Sequence, residues 1–212
     1  MRQRKIKNLD EKLKNLSHFI VENPRDIRGK WRECFGNDNP IYLEIGCGKG
    51  QFIRENALRY EERNYIAIEG HESVVLRALS KAEESSLTNI RFVTEYVQSL
   101  DEFFEPGELA GIYLNFSDPW PKERHAKRRL TYGKRLMQYM ETLREGGFVQ
   151  FKTDNDGLFE FTLEQIEECG LEQAAMTRDL HNSELAEGNI TTEYEDKFSG
   201  IGKNINYVLI KK

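Results

Sequence analysis

Asp118 stands in the stretch from Asn115 to Arg129 (NFSDPWPKERHAKRR), and its neighbours decide what its carboxylate could do. Pro119 and Pro121 forbid both helix interior and central strand, so the acid is carried on a stiff loop. Trp120 places a flat apolar face beside it. Lys122, Arg124, Lys127, Arg128 and Arg129 follow, with Glu123 as the one acid and His125 among them. An acid, an aromatic ring and a run of cations in one loop suit a nucleobase attached to a phosphate chain. A proline-stiffened turn leading into a solvated basic helix start is the other reading of the same residues.

A second set lies upstream. Residues 41–45 (IYLEI) form a buried strand pattern that runs into Gly46-Cys47-Gly48-Lys49-Gly50, and Phe52, Ile53, Ala57 and Tyr60 then mark a helix over 51–60. Strand, glycine loop and helix make a nucleotide-binding arrangement, because glycine lets backbone approach a ligand and the helix start offers free N–H groups. The next strand, 65–68, ends in Glu69, at the distance where an acid can take a ribose diol. A dinucleotide fingerprint would need glycine at position 51, which is Gln51, and this disfavours a dehydrogenase.

These residues need a scaffold. A helix over 73–86, strands over 90–93 and 111–114, a helix over 131–144, a strand over 148–153 ending in Asp154, a helix over 158–169 and strands near 171–177 and 206–210 complete an alternating pattern. Strand ends in that order converge at the carboxyl edge of a parallel sheet, where open α/β folds bind ligands. Asp154 reads equally as a helix cap or a ligand group, and Thr192 and Glu193 as a helix start or a substrate group. Residues 1–39 form an arm with short helices, pinned to the body by Trp31 and Phe35, and residues 40–212 a single domain.

With 212 residues and 38% hydrophobic content the chain can bury one core, so a single α/β domain is expected. The formal charge of −5 excludes a generic nucleic-acid coat, yet Arg2, Arg4, Lys5 and Lys7 and the run at 122–129 leave local cationic faces. Cys34, Cys47 and Cys169 lack any CxxC spacing, which suits a reducing compartment and speaks against a structural zinc. No apolar run approaches a membrane span. A cytoplasmic protein with no metal and no membrane partner is expected.

Taken together, residues 44–50 (EIGCGKG) resemble the acid-x-Gly-x-Gly-x-Gly loop of class I S-adenosylmethionine-dependent methyltransferases. Residues 115–122, 124–129, 151–155 (FKTDN) and 192–195 (TEYE) resemble the bacterial tRNA (guanine-N7-)-methyltransferases of the TrmB type, over almost the whole chain. The resemblance implies a Rossmann-like, seven-stranded, mostly parallel sheet with helices on both faces and an antiparallel last strand. It implies S-adenosylmethionine as cofactor, tRNA as partner, and a guanine at position forty-six in the tRNA variable loop as the methyl acceptor. Carried over by position, Glu44, Gly46, Gly48, Gly50, Glu69, Tyr96 and Asp118 fall on cofactor-binding positions, and Asp118 on the catalytic acid. Lys122, Arg124, His125, Lys127, Arg128, Arg129, Asp154, Thr191, Thr192, Glu193 and Tyr194 fall on substrate-binding positions. Tyr96 departs from the family's usual Asp. A monomer or weak homodimer is expected.

Two rivals stay open at this point. An exocyclic-amine methyltransferase would carry an acid, Asn or Ser before two prolines and an aromatic, and here a single proline precedes Trp120. A non-catalytic RNA-binding protein could keep a vestigial cofactor fold, and the joint presence of Glu44, Glu69 and Asp118 argues against such decay.

Overall fold

A computed structural model describes residues 6–212. Arg2, Arg4 and Lys5 of the N-terminal basic group lie outside the described residues. The alternating pattern folds into seven strands, β1 (Ile41–Ile45), β2 (Asn64–Ile68), β3 (Ile90–Val93), β4 (Leu109–Asn115), β5 (Leu143–Thr153), β6 (Glu172–Thr177) and β7 (Asn206–Lys211). They form one sheet in the order β3-β2-β1-β4-β5-β7-β6, with β7 antiparallel to both its neighbours. The strands β1, β2 and β4 are buried on both faces, as their largely apolar runs lead one to expect, with Glu44, Asn64 and Asn115 as the buried polar exceptions.

Helices α3 (Gln51–Arg59) and α4 (Glu72–Glu84) cover one face, where Ile53, Ala57, Leu79 and Ala82 pack on Tyr65, Ala67 and Phe92. On the other face α5 (Gly133–Thr142) and α6 (Asp156–Glu168) set Leu136, Tyr139, Phe159 and Ile166 against Leu43, Ile66, Ile112 and Phe151. The arm supplies α1 (Leu9–Asn15), a 3-10 turn at Ser17–Phe19 and α2 (Trp31–Phe35). Phe19 and Trp31 are buried, and the Trp31 indole donates to the Phe103 carbonyl oxygen at 2.8 Å and stacks on Phe104. Phe35 packs against the same core. No helix among the described residues is long and apolar enough to cross a membrane.

Two boundaries differ from expectation. The helix expected to reach Arg144 stops at Thr142, and Leu143 already pairs with Leu109 in the sheet. Residues 144–147 then bulge out before Phe148 takes the next pairing, opposite Gly111. Gly146, at φ +72°, makes that bulge possible, and its glycine pair reads in sequence as an ordinary helix stop. After Pro121 the basic run forms a short 3-10 turn over Glu123–Arg128, where a solvated basic helix start is the other reading of the sequence.

Candidate active site

The strand order reverses between β1 and β4, and a cleft of about 800 Å³ opens there at the carboxyl edge of the sheet. Its walls come from consecutive strand ends: Gly46 after β1, Glu69 and Gly70 after β2, Tyr96 beyond β3, and Asn115, Ser117 and Asp118 at the end of β4. Of the residues singled out in sequence, Gly46, Glu69, Tyr96, Asp118, Trp120, Lys127 and Arg128 line this one cleft.

The glycine loop splits by role. Gly46, Gly48 and Gly50 all sit at positive φ. A Cβ added at Gly46 or Gly48 would meet nothing within 4 Å, whereas one at Gly50 would lie 2.6 Å from the Ala78 Cβ of α4. Gly50 therefore serves the packing of α3 on α4, while Gly46, on the cleft wall, and Gly48 leave open space beside the backbone. Glu69 fixes the loop: its Oε2 accepts from the Gly48 N–H at 3.1 Å and its Oε1 from the His71 N–H at 2.9 Å. A carboxylate has about four acceptor sites, so both oxygens keep capacity for a diol. Gly48→Val is expected to abolish S-adenosylmethionine binding by calorimetry in a protein that still melts cooperatively. Gly50→Ala is expected instead to lower stability by about 1–3 kcal/mol, the scale of overpacking.

Beneath the cleft, Glu44 is fully buried and takes the Asn115 Nδ2 hydrogen bond at 2.8 Å on Oε1. Burial pushes its carboxyl up to about 7, against the lowering effect of Asn115 and of Lys152. Among the described residues Glu44 Oε2, Asn115 Oδ1 and Ser117 Oγ have no hydrogen-bond partner. Buried polar atoms are rarely left so. Unpartnered acceptors, two bare glycines and a half-used Glu69 fit a ligand with a cationic amine at one end and a ribose diol at the other, which is the chemistry of S-adenosylmethionine. Tyr96, where the resembling family has an acid, lays its ring over Gly70 and meets His71 edge-on at 5.7 Å.

The Asp118 loop is strained. Phe116 and Trp120 sit at φ +52° and +41°, in a region bulky residues seldom occupy. Asp118 is exposed on the cleft wall. The Trp120 ring carries the Arg128 guanidinium at 4.9 Å and meets His125 edge-on at 5.8 Å. Lys122 and Arg124 are exposed outside the cleft walls, and Arg129 is half-buried beneath the loop.

The remaining sequence candidates gather on a neighbouring wall built around α7 (Glu193–Ser199). Thr192 caps that helix, its Oγ1 accepting from the Glu195 N–H at 2.9 Å. Glu193 pairs with Lys81 of α4, and Gln51 at the start of α3 donates to Asp196 at 2.6 Å and approaches Thr191. Asn155, not Asp154, caps α6. Asp154 instead accepts from Lys203 at 2.9 Å and from the Tyr194 hydroxyl at 3.4 Å, and Tyr194 leans on Phe116 of the acid loop.

A buried ion pair anchors this wall, and sequence reading missed it. Lys152 Nζ reaches Glu195 Oε2 at 2.6 Å with neither side chain exposed, and also donates to the Ile190 carbonyl at 2.8 Å. Asn189 and His181 satisfy the other Glu195 oxygen at 2.7 and 3.1 Å. Burial lowers the Lys152 ammonium and the Glu195 carboxylate offsets it. The signal was present as a lysine inside an apolar strand, which cannot stay buried without an acid somewhere in the chain.

Similarity to known proteins agrees with this geometry. A family model described as "Putative methyltransferase" matches residues 38–208. The tRNA (guanine-N(7)-)-methyltransferase of Bacillus subtilis (strain 168) is 48% identical over 205 residues, covering 97% of this chain and 96% of its own. The enzyme of the same name from Listeria monocytogenes serotype 4b (strain F2365) is 51% identical over 91% of this chain and 89% of its own. Among solved structures, an antibiotic-related methyltransferase shares the fold at a TM-score of 0.60 and 13% identity, over 90% of this chain and 97% of its own. A 16S rRNA methyltransferase, KamB, does so at 0.60 and 11%, over 86% and 91%. With a seven-stranded sheet of the kind seen in solved methyltransferases, a cleft whose lining fits S-adenosylmethionine and near-full-length identity of about half, the chain belongs to the tRNA (guanine-N(7)-)-methyltransferase family.

Proposed function

We propose that the chain methylates N7 of a guanine in the variable loop of tRNA, at position forty-six, and that Asp118 recognises the guanine and stabilises the charge it gains. The observation that carries this is the meeting, in one cleft, of the bare glycine loop, Glu69 and the exposed Asp118 carboxylate, with Lys127 and Arg128 on the same wall. Glu44, Gly46, Gly48, Glu69 and Tyr96 hold the cofactor side, and Gly50 sets the helix behind it. Lys122, Arg124, His125, Lys127 and Arg128 face the RNA. Asp154 and Thr191 to Tyr194 bound the substrate side through α7.

S-adenosylmethionine, when bound, supplies an electrophilic methyl group. Guanine N7 has a free lone pair and no proton, so no side chain has to act as a general base. The purine becomes cationic and its N1–H more acidic as N7 is alkylated. A carboxylate accepting from N1–H and the 2-amino group therefore stabilises the transition state more than the ground state. Exposure on the cleft wall and a loop stiffened by a proline pair and two strained residues support that role for Asp118. Asp154 assists from the α7 wall. Trp120, on the same cleft wall, offers an aromatic face to a base turned out of its stack.

The family match over residues 38–208 supports taking 40–212 as the methyltransferase domain and 1–39 as an arm docked on it. The exposed large apolar side chains lie on separate elements, such as Leu58 on α3, Met137 on α5 and Met176 on β6, which supports a monomer or weak homodimer. Aniline cleavage after borohydride treatment, specific for N7-methylated guanine, maps the modified position. A cut at position forty-six is expected, and a cut elsewhere would move the target.

The cationic run makes a separate prediction. Replacing Arg124 and Lys127 by Gln should weaken tRNA binding and flatten its salt dependence by about one unit of slope per lost phosphate contact. S-adenosylmethionine affinity should stay unchanged. Titrations of tRNA binding at several salt concentrations check this, and an unaltered slope would make the run a solvated face.

A further inference from the structure

Arg129 does not point outward with the cations around it. Its Nε donates to the Pro119 carbonyl oxygen and its Nη2 to that of Trp120, both at 3.1 Å. Its guanidinium carbon meanwhile lies over the Phe161 ring of α6, 4.2 Å from the centroid. Phe161 packs, partly buried, against the main core. Among the described residues no backbone N–H reaches either carbonyl, and the flanking prolines have none to give. Trp120 between them sits at φ +41°, a conformation that persists only where surrounding structure over-determines it.

We infer that Arg129 is a positioning residue that braces the Asp118 loop, tying the carbonyls of Pro119 and Trp120 to α6 rather than holding tRNA phosphate. The fork of a guanidinium is needed for this. It donates to two adjacent carbonyls while its guanidinium carbon lies over the Phe161 ring, which a lysine ammonium, a hydrated point charge, cannot do. Phosphate attraction by contrast needs only the charge. The sequence run from Lys127 to Arg129 therefore divides between cleft wall and brace. The inference rests on the proposal that the Asp118 loop carries the chemistry.

The test compares Arg129→Lys with Arg129→Gln in the full chain. Measured quantities are kcat and KM, tRNA affinity against salt, and acrylamide quenching of tryptophan emission in the free protein. Trp31 is fully buried, so a change in quenching reports Trp120. Both variants are expected to lose kcat by up to about 10²-fold, the scale of a misplaced reacting group. Both should also keep the wild-type salt slope and leave Trp120 more open to acrylamide. Phe161→Leu removes the stack without touching charge, and should shift kcat and quenching the same way by less, which keeps the test available if Arg129→Gln folds poorly. Wild-type behaviour of Arg129→Lys beside a lost unit of salt slope in Arg129→Gln would overturn the brace and make Arg129 a phosphate contact. Unchanged quenching and kcat in both would overturn it as well. The quenching arm needs neither tRNA nor cofactor, so raised quenching with full activity in Asp118→Ala would sink the role of Asp118 and leave the brace standing.

Discussion

Asp118→Ala is expected to lower kcat by about 10²–10³-fold, the cost of removing one aimed electrostatic contact in an active site. Its fold should be unaffected, since the side chain is exposed and lies at the cleft wall. The stronger form of the prediction uses the base. Inosine keeps N7 and N1–H but lacks the 2-amino donor, so at the target position it should be methylated at reduced efficiency. In Asp118→Ala the two bases should become more nearly equal, because the group that told them apart is gone. Rate measurements on tRNA carrying guanosine or inosine check this. Equal discrimination by wild type and variant would show that Asp118 does not read the 2-amino group. Neighbouring acids are poor substitutes for it: Asp154 is engaged by Lys203 and Tyr194, and Glu193 by Lys81.

The largest stability effect is expected at the buried pair behind α7. Glu195→Ala leaves the Lys152 ammonium without its carboxylate in a site with no solvent exposure, and removing one partner of such a pair costs about 3–5 kcal/mol. It also removes the acceptor that Asn189 and His181 share. The double replacement Lys152→Met with Glu195→Leu should recover most of that stability, because well-packed apolar residues commonly match a buried pair. Activity should not recover with it, since the wall that carries Thr192 to Tyr194 loses its anchor to β5. Denaturant unfolding of Lys152→Met, Glu195→Leu and the double variant checks the coupling. Single-variant losses below about 1 kcal/mol, the range of exposed pairs, would mean that water reaches the site.

Local pattern carried the sequence reading a long way. Apolar runs of strand length gave β1, β2 and β4, glycine chemistry gave the loop after β1, and the proline pair marked the Asp118 loop as irregular. Each of these signals is confined to a few neighbouring residues. What escaped depends on residues far apart in the chain. Lys152 and Glu195 meet across 43 positions, and Gly50 is required by Ala78 on another helix. Arg129 turns back to carbonyls nine and ten residues earlier. Its charge and its place in the run that resembles the family's RNA-contacting stretch put it among the RNA contacts, and only tertiary structure separates a brace from a phosphate ligand. Thr192 was legible in part: a Thr three residues before Glu195 is a capping pattern, and the cap is what forms, but the partner of that Glu is a buried lysine rather than the helix N-terminus.

Nucleoside analysis tests whether this cleft alkylates N7 of a tRNA guanine. Transfer RNA incubated with the protein and S-adenosylmethionine, digested and resolved by mass spectrometry, should yield 7-methylguanosine. The same tRNA carrying 7-deazaguanine at the target position should yield no methylated product. A methyl group found on an exocyclic amine, or methylation that survives the 7-deaza substitution, would contradict the account.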